Sequence, residues 1–336
     1  MQKLDVLIVG AGAAGIGMAL ALEKVPELGY GILERGRVGE SFRRWPRQTR
    51  LLTPSFHGTP FGLVDLNAVD TKSSPALFAG AEHLSGEQYA EYLRSVVVDH
   101  RLPILRGCDV TQVDYRPRDG FLLETTQGMV SSRFLIWATG EYQFPDLDPF
   151  PGARHCPHYA QVEDWSTFKA AHHTVIGGFE SGIDAAVNLV TQGKRVRWLM
   201  RKPIANRGGG GDPSLSLSPY SRERLQAATA TGRLEPVSGA DVTRVTEGDA
   251  GEFRIDARDG RHWTASQPPI LGTGFVAGGG ARQISELWDW DRDGNVLVTD
   301  SDESTCTPGL FLVGPHVRHG PRIYCFIYKF RERFGL

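Results

Sequence analysis

The chain has 336 residues, enough for two domains with separate cores, and its 40% hydrophobic and 23% charged content is that of an ordinary soluble globular protein. A formal net charge of −2 gives no reason to expect nucleic acid or an anionic membrane as partner, and no apolar run reaches the roughly eighteen residues of a membrane span. The four cysteines, Cys108, Cys156, Cys306 and Cys325, lack C-x-x-C spacing, which suits a reducing cytosol and excludes the common dithiol motif.

The first fifteen residues organise the rest. Leu4 to Val9 form an aliphatic, β-branched run suited to a strand buried on both faces. Gly10, Gly12 and Gly15 follow in G-x-G-x-x-G spacing, with Ala13 and Ala14 opening an apolar segment, so the stretch predicts strand, tight turn and helix. The first glycine permits the turn, the second lets backbone approach a pyrophosphate, and the third lets helix pack on strand. The helix N-terminus adds N–H donors and a positive dipole for the phosphates. Glu34 stands nineteen residues beyond Gly15, after a second apolar run, where a carboxylate accepts hydrogen bonds from a ribose. A strand beginning by Leu4 argues against a signal peptide.

Residues 35–62 are rich in Arg, Gly and Pro and read as a loop, in which Phe42, Trp45 and Phe56 imply packing, for instance against a flat ligand. Arg35, Ser41 and Trp45 are candidate contacts to the first nucleotide. Arg43, Arg44, Arg47 and Arg50 either hold phosphates or form a solvated basic edge, and the sequence leaves both readings open. His57 is a candidate donor near the cofactor or a structural loop histidine. Ser85 reads as an N-cap, with Tyr89, Leu93, Val96 and Val97 at helical spacing behind it.

Strand-like pieces succeed this helix, punctuated by Asp119-Gly120 and Gln127-Gly128, both hairpin signals. They predict a small antiparallel unit feeding a buried strand, Phe134 to Ala138, whose end on Thr139-Gly140 leaves space for a cofactor at its carboxyl edge. The proline-rich stretch 146–159 reads as an interdomain linker.

A second strand–turn–helix follows, with His173 to Ile176 as strand, GGFESG as turn and Ile183 to Gln192 as helix. Gly177, Gly178, Ser181 and Gly182 are its candidate nucleotide contacts, and Phe179 occupies the middle position where glycine normally admits the pyrophosphate. Where the first unit places Glu34, this one places Arg201 and Lys202, which either bind a 2′-phosphate, favouring NADPH over NADH, or form a surface cation pair. The run Gly208 to Gly211 is a surface loop rather than a phosphate loop, since no strand leads in and no Lys follows at the required spacing. Residues 242–266 predict another pair of strands, and a further apolar strand closes on Gly272-Thr273-Gly274.

GAGAAG with Glu34, the ATG of Ala138 to Gly140, the second glycine motif and TPGLFLVG near the end together resemble the flavoprotein oxidoreductases with two dinucleotide-binding domains. The resemblance implies an α/β fold of two Rossmann-like βαβ domains, the second inserted into the first. FAD is expected on residues 1–150 and 281–336, and NADPH on residues 155–280. It further implies FAD contacts at Gly10, Gly12, Gly15 and Glu34, a backbone contact from Val110 to adenine, and closure around the flavin by Gly314 and a helix starting near Arg322. The family usually carries Gly-Asp after the last strand; this chain has Gly314-Pro315.

Two branches share the resemblance. ERGRVGESFRRW, ATGEYQFP and GGFESGIDAA are similar to flavin-containing monooxygenases, in which reduced flavin captures O₂ as a peroxide that oxygenates a soft nucleophile. RQTRLLTPSFHGTPFG, LSGEQYAEYLRSVV and YCFIYKFRERF resemble the bacillithiol-disulfide-reductase-like proteins, which carry a Cys in the first glycine turn where this chain has Ala14. For that chemistry the candidate thiol is Cys325, at the start of the final helix. The expectation is a cytoplasmic FAD-dependent, NADPH-reduced oxidoreductase of monooxygenase type acting on a small molecule, with no metal. The alternatives are a low-molecular-weight disulfide reductase and a flavin-binding sensor. KFRERFGL ends without a clear stop signal, leaving room for further residues and a homo-oligomer contact.

Overall fold

A computed structural model describes residues 2–56, 64–203 and 212–336, in two compact units. The first comprises Met1–Arg44, Thr53–Phe144 and Ala277–Leu336, and the second Trp45–Leu52 and Pro145–Val276.

The first unit opens with β1 (Gln2–Val9), α1 (Ala13–Leu22) and β2 (Tyr30–Glu34). Short helices α2 (Glu40–Arg43) and α3 (Pro75–Ala79) precede the long α4 (Gly86–His100). Strands β3 (Ile104–Arg106), β4 (Val110–Arg116), β5 (Gly120–Thr125) and β6 (Gly128–Trp137) follow. They form one sheet in the order β3-β2-β1-β6-β5-β4, in which β1 lies parallel to both β2 and β6. Because β1 has neighbours on both edges and α1 packed against it, Val6, Leu7 and Ile8 are at most 3% exposed, a burial of about 1.5–3 kcal/mol for each side chain. The two hairpin signals hold, since Gly120 and Gly128 both adopt left-handed φ and β4-β5-β6 is antiparallel. Helix α4 begins at a capping box, the Ser85 hydroxyl accepting from Gln88 N and the Gln88 side chain accepting from Ser85 N. Its Tyr89, Leu93 and Val96 are buried, and Phe42 meets Tyr89 edge-on at 4.6 Å.

The second unit carries β7 (His172–Ile176), α5 (Glu180–Thr191), β8 (Arg195–Met200), α6 (Pro219–Ala230) and β9 (Leu234–Ser238). Then come β10 (Val242–Glu247), β11 (Phe253–Ala257), β12 (His262–Ala265) and β13 (Ile270–Leu271). Strands β13-β7-β8-β9 make a parallel sheet, and β10-β11-β12 a separate antiparallel one. Two sequence expectations change here. Residues 242–266 give three strands rather than two, because Asp259-Gly260, with Gly260 at φ +88°, adds a turn inside the second half. The stretch 146–159 is no loose linker either: Phe150, Ala153 and Cys156 belong to a core cluster with Ile176, Leu199, Phe253 and Ile255. Gly152 permits this, since a Cβ there would stand 1.8 Å from the Val245 carbonyl oxygen.

The chain then returns to the first unit with the pair β14 (Asp289–Trp290) and β15 (Val296–Leu297), and β16 (Leu310–Leu312), which lies parallel to β6. The expected helix near Arg322 is instead a hairpin of β17 (Arg318–His319) and β18 (Arg322–Ile323), because Gly320, in left-handed conformation, and Pro321 force a turn. A short helix, α7 (Ile327–Phe330), follows and runs into a 3₁₀ turn at Arg331–Arg333. The Phe334 ring fills a notch on α1 that exists because residue 17 is glycine; a Cβ there would lie 1.9 Å from the ring.

Candidate cofactor site

The three glycines of the first turn are required for three different reasons. Gly10 has φ +108°, and a Cβ on it would fall 2.5 Å from the Ala138 carbonyl oxygen at the end of β6. A Cβ on Gly15 would fall 1.9 Å from Gly10 O, so helix and strand touch there backbone to backbone. Gly12, by contrast, is the extended N-cap of α1, and a Cβ on it would meet nothing within 4 Å. No side chain caps this helix and its first turn carries no acid. Open space above uncapped helical N–H groups is the setting that suits a pyrophosphate.

Glu34, 6% exposed at the end of β2, accepts from Ala11 N and Gly36 N, both at 2.7 Å. Burial raises its pKa, and those two N–H groups together with Arg35 pull it back down. Each carboxylate oxygen keeps a lone pair for a ribose hydroxyl. A cleft open to solvent runs along these groups, lined among others by Gly10, Gly12, Glu34, Arg35, Ser41, Val110 and Thr139. Ala13, Ala14 and Gly15 lie beneath it in the first turn of α1, all buried. Gly314, at φ +106°, brings the end of β16 against α1, where its Cβ would lie 3.2 Å from that of Ala14. Gly140, also left-handed, has open space where a Cβ would stand. The residues present therefore fit the adenosine and pyrophosphate of a dinucleotide.

Gln143, Asp109 and Gln283 also line the cleft, and the sequence did not single them out. Gln143 accepts from Arg35 Nη2 at 2.5 Å and donates to Ser41 Oγ at 3.2 Å, so it couples two of the predicted contacts across a hundred residues of sequence, a pairing only the sheet order brings about. Trp45 is not among the lining residues and belongs to the second unit. His57 and the glycine run 208–211 lie outside the described residues. The arginines are largely committed: Arg43 pairs with Glu87 and with Glu91 at 2.6 Å, and Arg44 with Glu40 at 3.4 Å, which favours the structural reading. Cys325 is half-buried ahead of the short α7, which offers far less dipole than the helix expected there.

The second turn repeats the first at two of three positions. Gly177 has φ +129° with its Cβ site 2.1 Å from Gly272 O, and the Cβ site of Gly182 lies 2.0 Å from Gly177 O. Gly178 lies in the turn between β7 and α5, and Ser181 in the first turn of that helix. Arg201 and Lys202 are exposed just past the end of β8.

Against known proteins, residues 7–314 match the family model of the pyridine nucleotide-disulphide oxidoreductases. The chain belongs to that family. It is an oxidoreductase whose cofactors are FAD and NAD(P)H. A ferredoxin–NADP reductase of Lacticaseibacillus paracasei is 26% identical over 256 residues, 73% of this chain and 71% of that one. The bacillithiol disulfide reductase Bdr of Staphylococcus aureus superposes with a TM-score of 0.78 at 22% identity, covering 100% of this chain and 97% of that one. A flavin-containing monooxygenase of Stenotrophomonas maltophilia gives 0.74 at 17% identity, covering 100% and 97%. At these identities the two superpositions establish the fold alone. Among the described residues no helix is long and apolar enough to cross a membrane, and no group of His, Cys, Asp and Glu suits a metal ion.

Past Gly314 this oxidoreductase carries an ionisable group that the cleft does not use. Burial lowers the His316 pKa to about 4, helped by the positive Arg318, and burial raises that of Glu141 to about 7 against the pull of the same Arg318. His316 Nε2 and Arg318 Nε have no hydrogen-bond partner among the described residues. The two shifts oppose each other in pH. Glu141 holds its proton more tightly folded than unfolded, so its contribution is complete below pH 4.5 and lost as pH rises towards 7. His316 binds its proton less tightly folded, so its contribution is complete above pH 6.5 and lost as pH falls towards 4. Between pH 4.5 and 6.5 they cancel. Denaturant titrations of the whole chain should find Glu141→Gln gaining stability with rising pH across this window relative to wild type, and His316→Gln losing it, by up to ~3 kcal/mol at full titration. Parallel pH profiles for all three proteins refute the assignment.

Proposed function

We propose that the chain is reduced by NADPH and passes the electrons to dioxygen, oxygenating a small, soft nucleophile in the reducing cytosol. In this reading residues 1–150 with 281–336 hold FAD and residues 155–280 hold NADPH. The observation that carries it is the clear space above Gly12, at the uncapped start of α1 and beside the buried Glu34. The N–H groups of Gly12 to Gly15 take the pyrophosphate, Glu34 the ribose, and Val110 the adenine, while Arg35, Ser41 and Gln143 close the cleft wall. Thr139, Gly140 and Gly314, at the carboxyl ends of the adjacent strands β6 and β16, border the flavin end. Gly177, Gly178, Ser181 and Gly182 approach the nicotinamide nucleotide, with Arg201 and Lys202 at its 2′-phosphate. When bound, the flavin accepts hydride from NADPH and delivers electrons onward.

The placement of the thiols favours dioxygen over a disulfide as acceptor. Ala14 stands in the first turn of α1, and the cysteine that lines the cleft, Cys108, is 1% exposed and donates its N–H to the Glu34 carbonyl, at the ribose end. A disulfide reductase remains the second reading, resting on the half-buried Cys325.

Anaerobic mixing of the FAD-loaded protein with NADPH, followed by oxygen or by a low-molecular-weight disulfide, tests both. Bleaching by NADPH, then reoxidation by oxygen with oxygenated product, supports the first reading. Reoxidation by the disulfide alone, lost in Cys325→Ser, establishes the second instead. A flavin that NADPH does not bleach refutes both.

A further inference from the structure

The two glycine turns can be compared position by position, and they differ at the one position that faces the ligand. Gly10 and Gly177 share left-handed φ, and Gly15 and Gly182 share the backbone contact that packs helix on strand. Gly12 and Phe179 are both extended N-caps, at φ −87°, ψ −172° and φ −126°, ψ −162°. Neither backbone conformation demands glycine, so steric freedom for the ligand is what distinguishes the two residues. A Cβ at Gly12 points into open space, and at the matching place in the second turn a benzyl group leaves the chain.

The next residue differs in the same sense. The first turn of α1 has no acid, whereas α5 begins with Glu180. Its carboxylate is half-buried and accepts from Ser218 N at 2.8 Å and from the Ser221 hydroxyl, at the start of α6. Burial raises its pKa, with a further rise from Asp184 one turn along. A carboxylate of the protein itself thus stands in the first turn of α5, held there by donors at the start of the neighbouring helix α6.

We propose that Phe179 and Glu180 restrain the pyridine nucleotide at the second turn: the ring takes the approach to the backbone, the carboxylate repels the pyrophosphate, and the nucleotide is held chiefly through its adenosine phosphate. This rests on the assignment of NADPH to residues 155–280. A pyrophosphate brought to α5 meets a like charge where it would otherwise meet only helical N–H groups, so affinity is given up at the position where α1 gains it. The pair is therefore a specificity determinant, which makes binding depend on Arg201 and Lys202 and disfavours NADH.

Calorimetric titration of the oxidised, FAD-loaded protein with NADP⁺ tests this without turnover. Phe179→Gly suits the N-cap position and Glu180→Gln keeps an acceptor for Ser218 N. Each should tighten NADP⁺ about threefold to tenfold, with FAD content and flavin spectrum unchanged, and the double variant should exceed both. Should Phe179→Gly fold poorly, Phe179→Ala and Glu180→Gln carry the same test. Unchanged or weaker binding in these variants overturns the restraint. Arg201→Ala with Lys202→Ala separates the two levels: if it alone alters NADP⁺ binding, the restraint fails and the site stands, whereas no response in any variant removes the site as well.

Discussion

Gly12→Asp is expected to leave the protein folded and at least as stable as wild type, and to abolish FAD retention. Aspartate is among the best N-cap residues, and at this extended position its Cβ meets nothing within 4 Å, so the helix itself gains up to ~1 kcal/mol. The same side chain puts a carboxylate into the space left for the pyrophosphate. At 4 Å a like-charge contact costs about 4 kcal/mol at an effective dielectric constant of 20, and the lost helical contacts add to that, so FAD affinity should fall more than a hundredfold. The comparison variant is Gly15→Ala, whose methyl group would overlap the Gly10 carbonyl oxygen and pry α1 from β1. It should destabilise by several kcal/mol and lose FAD through misfolding. Bound flavin after gel filtration, with denaturant midpoints of the FAD-free proteins, separates the two failures. Gly12→Asp retaining stoichiometric FAD rules out the cleft as the dinucleotide site.

Asp184 should prove the most sensitive polar residue of the second unit. It is 5% exposed, and its Oδ2 accepts from Thr49 Oγ1 at 2.7 Å and Tyr159 OH at 2.8 Å while Oδ1 accepts from Arg224 Nη1 at 2.6 Å. Arg224 also donates to Asn188 Oδ1 at 3.2 Å. Removing the carboxylate leaves a largely buried guanidinium without its counter-charge and takes the shared acceptor from the Thr49 and Tyr159 hydroxyls, which are left with only each other, so Asp184→Ala should cost about 3–5 kcal/mol. Replacing the pair, with Asp184→Leu and Arg224→Met, should recover part of the loss, because the penalty lies mainly in the stranded charge. Urea unfolding of the full chain is the measurement, and a loss below 1 kcal/mol for Asp184→Ala contradicts the account.

Local chemistry made much of this protein legible in its sequence. The spacing of Gly10, Gly12 and Gly15 is a demand made by backbone geometry within a few residues, and the structure supplies a distinct steric reason for each. The Ser85 cap and the Asp119-Gly120 and Gln127-Gly128 turns are equally local and appear as expected. The departures arose where a distant partner decides. Phe150 and Cys156 looked like linker because prolines surround them, yet strands about a hundred residues later cover them. Asp184 and Asn188, polar residues one turn apart within the apolar stretch from Ile183 to Val190, did carry a signal of buried pairing, but Arg224 and Thr49 could not be named from spacing.

By itself the sequence determined two glycine turns, the strands that lead into them, the acid after the first and the cations after the second, since period and turn chemistry act over short range. Only the tertiary structure decided which position of each turn faces open space, that Gln143 joins Arg35 to Ser41, and that Arg43 answers Glu91 rather than a phosphate. Those outcomes depend on the order of strands in a sheet, which brings together atoms that no local rule relates.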